Sequence, residues 1–173
     1  MSRTASTENF YFVTLTIVDW IDLFTRRLYS DCIIDNLAYC QQHKKLNIYA
    51  YVLMTNHLYL IANVEEGTLS DVLRDFKTYT SKQLYQLIND NPQESRKDWI
   101  LKAFERAGKH NPQNKNHQLW QNGNYPILLY TSEVIQQKID YIHENPVKAG
   151  FVGSAHEYWY SSANADSPLK VII

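Results

Sequence analysis

The chain is poor in the residues that staple, anchor or strongly charge a protein, and each shortage removes a class of function. It has only two cysteines, Cys32 and Cys40. They lie eight apart in a stretch that reads as helix, a spacing that suits neither a disulfide framework nor a CxxC zinc site. Both are expected to be free thiols packed in the interior. No segment approaches the ~20 consecutive apolar residues that a bilayer-spanning helix requires. The amino end, Met1 to Glu8, carries no apolar run before Phe10, so no signal peptide is expected. Neither sign of charge dominates: the net charge of −1 argues against binding a polyanion by bulk attraction. There is no internal repeat and no low-complexity segment. The expectation is one cytoplasmic domain spanning residues 1–173, with a core from about 10 to 162 and a tail from 163 to 173, large enough to bury a full core.

What the chain does have is unevenly placed charge and an excess of tyrosine. Residues 74–115 carry nine Lys and Arg against five Asp and Glu, whereas the segments on either side are net acidic. Arg74, Lys77, Lys82, Arg96, Lys97, Lys102, Arg106, Lys109 and Lys115 are therefore the candidates for a polyanion-facing surface, with Arg74, Lys77 and Lys82 foremost for DNA contact, against the plainer reading, which charge patterning alone favours, of a set of solvated helix faces. Among the aromatic residues, which include thirteen tyrosines, Trp120, Tyr125, Trp159 and Tyr160 are candidates to stack on unpaired bases, although a place in the core or at its edge is the favoured reading for each.

Periodicity gives the element order. Phe10 to Val18 is aromatic and β-branched and reads as a strand. From Ser30 to Lys44 the apolar positions Cys32, Ile33, Leu37 and Cys40 recur at three to four and predict a helix. Leu46 to Met54 and Leu58 to Val64 are two further β-type runs around Thr55-Asn56, a hairpin signal. Thr68 to Ile88 is helical again, and Trp99 to Arg106 predicts a short amphipathic helix. A loop is expected over Ala107 to Gln118, a last strand over Pro126 to Tyr130, and a helix over Ser132 to Glu144 with Ile135, Ile139 and Ile142 inward. Strand, helix, strand, strand, helix, strand is the order of an α+β, ferredoxin-like split βαβ fold, an antiparallel sheet with helices on one face and the other face open to a ligand, plus an extra C-terminal helix.

Two segments carry chemistry. In Asp140-Tyr141-Ile142-His143-Glu144-Asn145-Pro146-Val147-Lys148-Ala149-Gly150, Tyr141 and Asn145 are one helical turn apart and share a face, with Pro146 expected to fix where the helix stops. In Met54-Thr55-Asn56-His57-Leu58-Tyr59-Leu60, strand alternation puts His57 and Tyr59 on one face and Leu58 and Leu60 on the other. Taken together, a hairpin with Met-x-Asn-His-Leu-x-Leu, a long helix, Leu119-Trp120-Gln121 and then Tyr-Ile-His-x-Asn-Pro-Val-x-Ala-Gly-x-Val resemble the single-tyrosine HUH transposases. The match is best to the REP-associated tyrosine transposase branch of the insertion-sequence-200-like superfamily, and it runs from about Phe10 to Ser162.

The resemblance implies that Tyr141 attacks a phosphodiester of single-stranded or hairpin DNA to give a 5′-phosphotyrosine bond, that the DNA is cut and rejoined, and that His57 and Asn145 hold a divalent metal. Mg²⁺ or Mn²⁺ is expected, since no thiolate is offered. Tyr59 stands where the family has its second metal-binding histidine. A phenol with an ordinary pKa near 10 is protonated at neutral pH and a poor ligand, so three expectations stand: Tyr59 joins His57 and Asn145 at the metal as a metal-lowered phenolate, the site works with a weakened metal, or the chain is an inactive relative that only binds DNA. His143 is read as structural or as a contact to DNA or a helix end. An RNA-binding domain of similar strand order would need an RNP pattern of exposed aromatics, which Tyr49 to Val64 does not supply. A monomer or homodimer without membrane attachment is expected.

Overall fold

The computed structural model describes residues 9–112, 116–123 and 126–173, so the candidates Lys115 and Tyr125 lie outside the described residues. Strands β1 (Phe10–Thr16), β2 (Leu46–Leu53), β3 (His57–Val64) and β4 (Ile127–Leu129) form one antiparallel sheet in the order β2-β3-β1-β4, the ferredoxin-like arrangement. Helices α1 (Arg27–His43) and α2 (Leu69–Asp90) cover one face, α3 (Lys97–Lys109) packs beside α2, and α4 (Ser132–Lys148) covers part of the other.

The main core lies between the sheet and α1 and α2. It takes Val13, Leu15 and Ile17 from the β1 side, Leu58, Leu60 and Ala62 from β3, Ile33 and Leu37 from α1, and Leu73, Phe76, Leu84 and Ile88 from α2. Cys32 and Cys40 are free and buried among them, and burial pushes both thiols up to about 11, which leaves them inert as nucleophiles at neutral pH. The polar interruption of the α2 stripe has a use: Thr80 is fully buried, and its hydroxyl donates to the Phe76 carbonyl at 2.7 Å while accepting from the Trp120 indole at 3.0 Å. Trp120 is thus a core residue.

A β-bulge between Ile48 and Ala50 inserts Tyr49 and inverts the parity of β2. Before it Leu46 and Ile48 face α1; after it Tyr51 and Leu53 do, while Ala50 and Val52 turn to the opposite face. One extra residue thereby feeds both layers. The second face carries a smaller cluster, Phe12, Ala50, Val52, Met54, Ile61 and Leu129, against which α4 presses Ile142 with Ile135 and Ile139 at its border. Burying Ile142 completely is worth about 2 kcal/mol, enough to seat the helix. That face is therefore only partly open, because α4 lies over β2 and β3.

Helix α4 is capped at Thr131, whose hydroxyl accepts from the Val134 N–H at 3.1 Å. It does not stop at Pro146 as the sequence suggests. The helix runs to Lys148 with Pro146 buried inside it. The end is set by Gly150 at φ 82°, with Gly150 N–H bonded to Val147 C=O and Phe151 N–H to Pro146 C=O, each at 3.0 Å. This is a Schellman closure, which supplies donors to the terminal carbonyls. The α3 helix likewise extends to Lys109, into the segment expected to be loop.

Candidate active site

The site forms where the start of β3 meets the middle of α4. The hairpin tip that carries His57 is tied down by its backbone: Asn56 C=O accepts from Ile17 N–H at 2.9 Å and Thr55 C=O from Phe24 N–H at 2.8 Å. Alternation from that fixed point sends Leu58 and Leu60 to the main core and His57 and Tyr59 to the α4 face, where β1 contributes Thr16 opposite His57 and Thr14 opposite Tyr59.

From α4, Tyr141 projects over this row. Its hydroxyl lies 3.2 Å from that of Tyr59, and the two rings are 5.4 Å apart. The His57 ring is in turn 4.7 Å from the Tyr59 ring. Phe12 stacks on Tyr59 at 5.4 Å and meets Tyr141 edge-on at 6.1 Å. The Lys138 ammonium sits 4.7 Å from the centre of the Phe12 ring and 5.5 Å from that of Tyr141, placing a cation beside the Tyr141 phenol. Tyr141 itself is 40% exposed, so its oxygen is reachable from solvent.

His57 is held by Asn56, whose side-chain oxygen is 2.7 Å from Nδ1. Its Nε2 is buried and makes no hydrogen bond. Burial lowers its pKa, against an opposing interaction with the Asn145 side chain, so the neutral ring is favoured and Asn145 is placed beside it. Tyr59 is driven the other way: burial first, then Tyr141, raise its phenol well above the ordinary value. It is a neutral hydroxyl here. Among the described residues there is no group of three or more His, Cys, Asp or Glu side chains able to hold a metal. The donors on offer are one imidazole nitrogen without a hydrogen bond and one amide, with a phenol nearby. That set fits a hard divalent ion whose remaining positions are filled by phosphate oxygens and water, and a buried nitrogen without a partner is the atom such an ion would use.

The structure thus brings His57, Tyr59, Tyr141 and Asn145 together within one chain. It does not bring the basic candidates to them. Arg74, Lys77 and Lys82 belong to α2, on the opposite layer of the sheet. Arg74 is exposed and pairs with Asp71 at 3.0 Å and Asp75 at 3.3 Å, and Lys82 is exposed. Lys77 points inward, donating to the carbonyls of Gln121 at 2.8 Å and Gly123 at 3.2 Å, and burial brings it down to about 8. It therefore fastens the 121–123 segment, which lines a cavity of about 240 Å³ with Phe12, Thr14, Thr16 and Ile127 along the open part of the sheet. His143 is taken up by Ser162, 2.8 Å from Nε2. Trp159 is 41% exposed, with the Arg27 guanidinium over its ring at 6.0 Å; Tyr160 donates to Asp31 at 2.9 Å. Sequence reasoning missed Asn56, Phe12 and Lys138. Lys138 was open to discovery, since it lies one turn before Tyr141 on the same face.

No family model matches the sequence, and no curated protein matches it. Solved structures do. One is a REP-associated tyrosine transposase bound to a REP hairpin, 16% identical, with a TM-score of 0.63 over 89% of this chain and 76% of that one. Another, a Deinococcus radiodurans protein classed provisionally as a transposase, is 15% identical, with a TM-score of 0.47 over 79% of this chain and 88% of that one. The fold built from this sequence is therefore that of the hairpin-bound transposase.

Proposed function

We propose that this chain is a single-tyrosine transposase relative that binds single-stranded or hairpin DNA and transfers strands through a 5′-phosphotyrosine. The observation that carries the reading is the meeting of the helix phenol of Tyr141 with the strand face of His57 and Tyr59, the hydroxyls of Tyr141 and Tyr59 lying 3.2 Å apart. The Tyr141 phenol gives up its proton to water as its oxygen bonds to the phosphorus, the bond from phosphorus to the 3′ oxygen breaks, and that departing oxygen takes up a proton to become a 3′-hydroxyl. The protein–DNA ester retains the bond energy for rejoining. Tyr59, neutral and hydrogen-bonded to Tyr141, fixes the direction of the attacking oxygen. Lys138 offers positive charge beside it, and the cavity along Thr14, Thr16 and Asn122 gives polar groups for the flanking strand. His57 through Nε2, and Asn145 through its amide oxygen, would hold Mg²⁺ or Mn²⁺. When bound, that ion would neutralise charge on the nonbridging phosphate oxygens.

The test is covalent capture. A labelled DNA hairpin with a single-stranded flank, incubated with protein and Mn²⁺, is expected to become attached to the peptide containing Tyr141, as read by mass mapping. Attachment elsewhere, or equal attachment in chelator, would overturn the metal-assisted mechanism. The neutral Tyr59 favours one competing reading, a relative that binds DNA without cutting it. The variant Tyr59→His separates the two. If the missing nitrogen limits metal affinity, adduct formation rises by about tenfold or more, the lower end of what disturbed metal surroundings cost. A wild-type chain that binds hairpins yet forms adducts only as Tyr59→His establishes the binding-only form.

A further inference from the structure

His57 does not orient itself. Its Nδ1 faces the side-chain oxygen of Asn56 at 2.7 Å, and the other end of that amide is already committed. The Asn56 nitrogen donates to the Trp20 carbonyl at 3.2 Å and to the Asp22 carboxylate at 3.4 Å. Neither partner can donate, so the amide cannot be turned over without setting oxygen against oxygen. The atom facing His57 is therefore an acceptor, and the imidazole must answer with a proton on Nδ1. That leaves Nε2 as the lone-pair nitrogen, and it is the buried atom without a hydrogen bond.

Asp22 is held in its turn. Its carboxylate accepts from the Thr55 hydroxyl at 2.6 Å, and its backbone carbonyl accepts from Arg96 Nη1 at 2.9 Å. Arg96 is locked onto the fully buried carboxylate of Glu94 at 3.0 Å. Beside Asp22, Asp19 and Trp20 adopt φ of 56° and 50°, a left-handed backbone that residues with side chains seldom take. The strained turn aims the Trp20 carbonyl at Asn56.

We propose that Asn56 and Asp22 are positioning residues that set the tautomer of His57, presenting Nε2 as a ligand nitrogen. This deepens the transposase reading and rests on it for its purpose, but the tautomer can be measured without metal, DNA or activity. The two nitrogens of a neutral imidazole are distinguished by long-range ¹H–¹⁵N correlation of the histidine rings. In the wild-type chain without metal, His57 is expected to show a protonated Nδ1 and an unprotonated Nε2. In Asn56→Ala the proton moves to Nε2, the tautomer that a free side chain prefers, and Mn²⁺ affinity falls about tenfold or more. Asp22→Ala leaves Asn56 in place with only the Trp20 carbonyl to hold its amide, so the Nε2-protonated form becomes populated in part; it also serves if Asn56→Ala does not fold. A folded Asn56→Ala or Asp22→Ala with the wild-type tautomer, or a wild-type ring protonated on Nε2, overturns the proposal. A wild-type ring in the expected tautomer whose signals Mn²⁺ leaves unbroadened upholds the positioning role and removes the metal-dependent function.

Discussion

Tyr141→Phe is expected to abolish the covalent adduct while leaving the fold and hairpin binding in place. The ring keeps its contacts with Phe12 and Tyr59, so only the hydroxyl and its hydrogen bond to Tyr59 are lost. An exposed hydrogen bond of that kind contributes about 1 kcal/mol or less, and the thermal midpoint should move little. Without the oxygen no phosphotyrosine forms, and Tyr59 cannot replace it because partial burial keeps its phenol raised and protonated even without Tyr141's hydroxyl. The readout is a denaturing gel of labelled hairpin with Mn²⁺, paired with a binding titration. Persistence of the adduct at wild-type levels would place the nucleophile elsewhere and remove the central role given to α4.

Glu94→Ala should cost about 3 kcal/mol of stability or more. The carboxylate is fully buried between α2 and α3 and collects Arg26 at 2.7 Å, Arg96 at 3.0 Å and the Tyr29 hydroxyl at 3.1 Å. Burial alone would raise its pKa, but hydrogen bonds from Arg96, Arg26 and Tyr29 prevail and bring it from 4.5 down to about 2. A carboxylate lowered by folding stabilises the protein fully above its unfolded pKa, and that contribution disappears as pH falls from about 4.5 through about 2. Such a shift corresponds to about 3 kcal/mol, comparable with the ~3–5 kcal/mol lost when one partner of a buried pair is removed. Denaturant unfolding across that range should show wild-type stability falling with acid and a flatter profile for Glu94→Ala. Equal slopes would mean that the arginines are redundant anchors.

Much of the sheet and its helices was legible because their apolar spacing is regular. The Cys32, Ile33, Leu37 and Cys40 stripe reads as helix from any window, and β3 alternates cleanly enough to put His57 and Tyr59 on one face. The parity change in β2 was not legible, since Leu46 to Met54 is apolar at nearly every position and nothing local marks Tyr49 as the extra residue. Pro146 misled for a related reason: local preference favours a stop, yet burial of its ring and the Gly150 closure carry the helix past it. Lys77 illustrates the limit of counting charge. Its place in the chain is basic, but the carbonyls that claim it come from residues more than forty positions away. The tie from Asp22 to Asn56 spans 34 residues and could appear only once the chain had folded.

The C-terminal segment returns along the outer side of β2, giving Leu53 N–H to Tyr160 C=O, Ser162 N–H to Tyr51 C=O, and Ile172 N–H to Ile48 C=O. A bare border strand is an invitation to zip onto a neighbour, and here the chain occupies its own vacancy. Sheet-to-sheet docking of identical molecules through β2 is thereby closed. Any pairing of copies must use another surface, and the phenol and imidazole need none, being supplied by the same polypeptide.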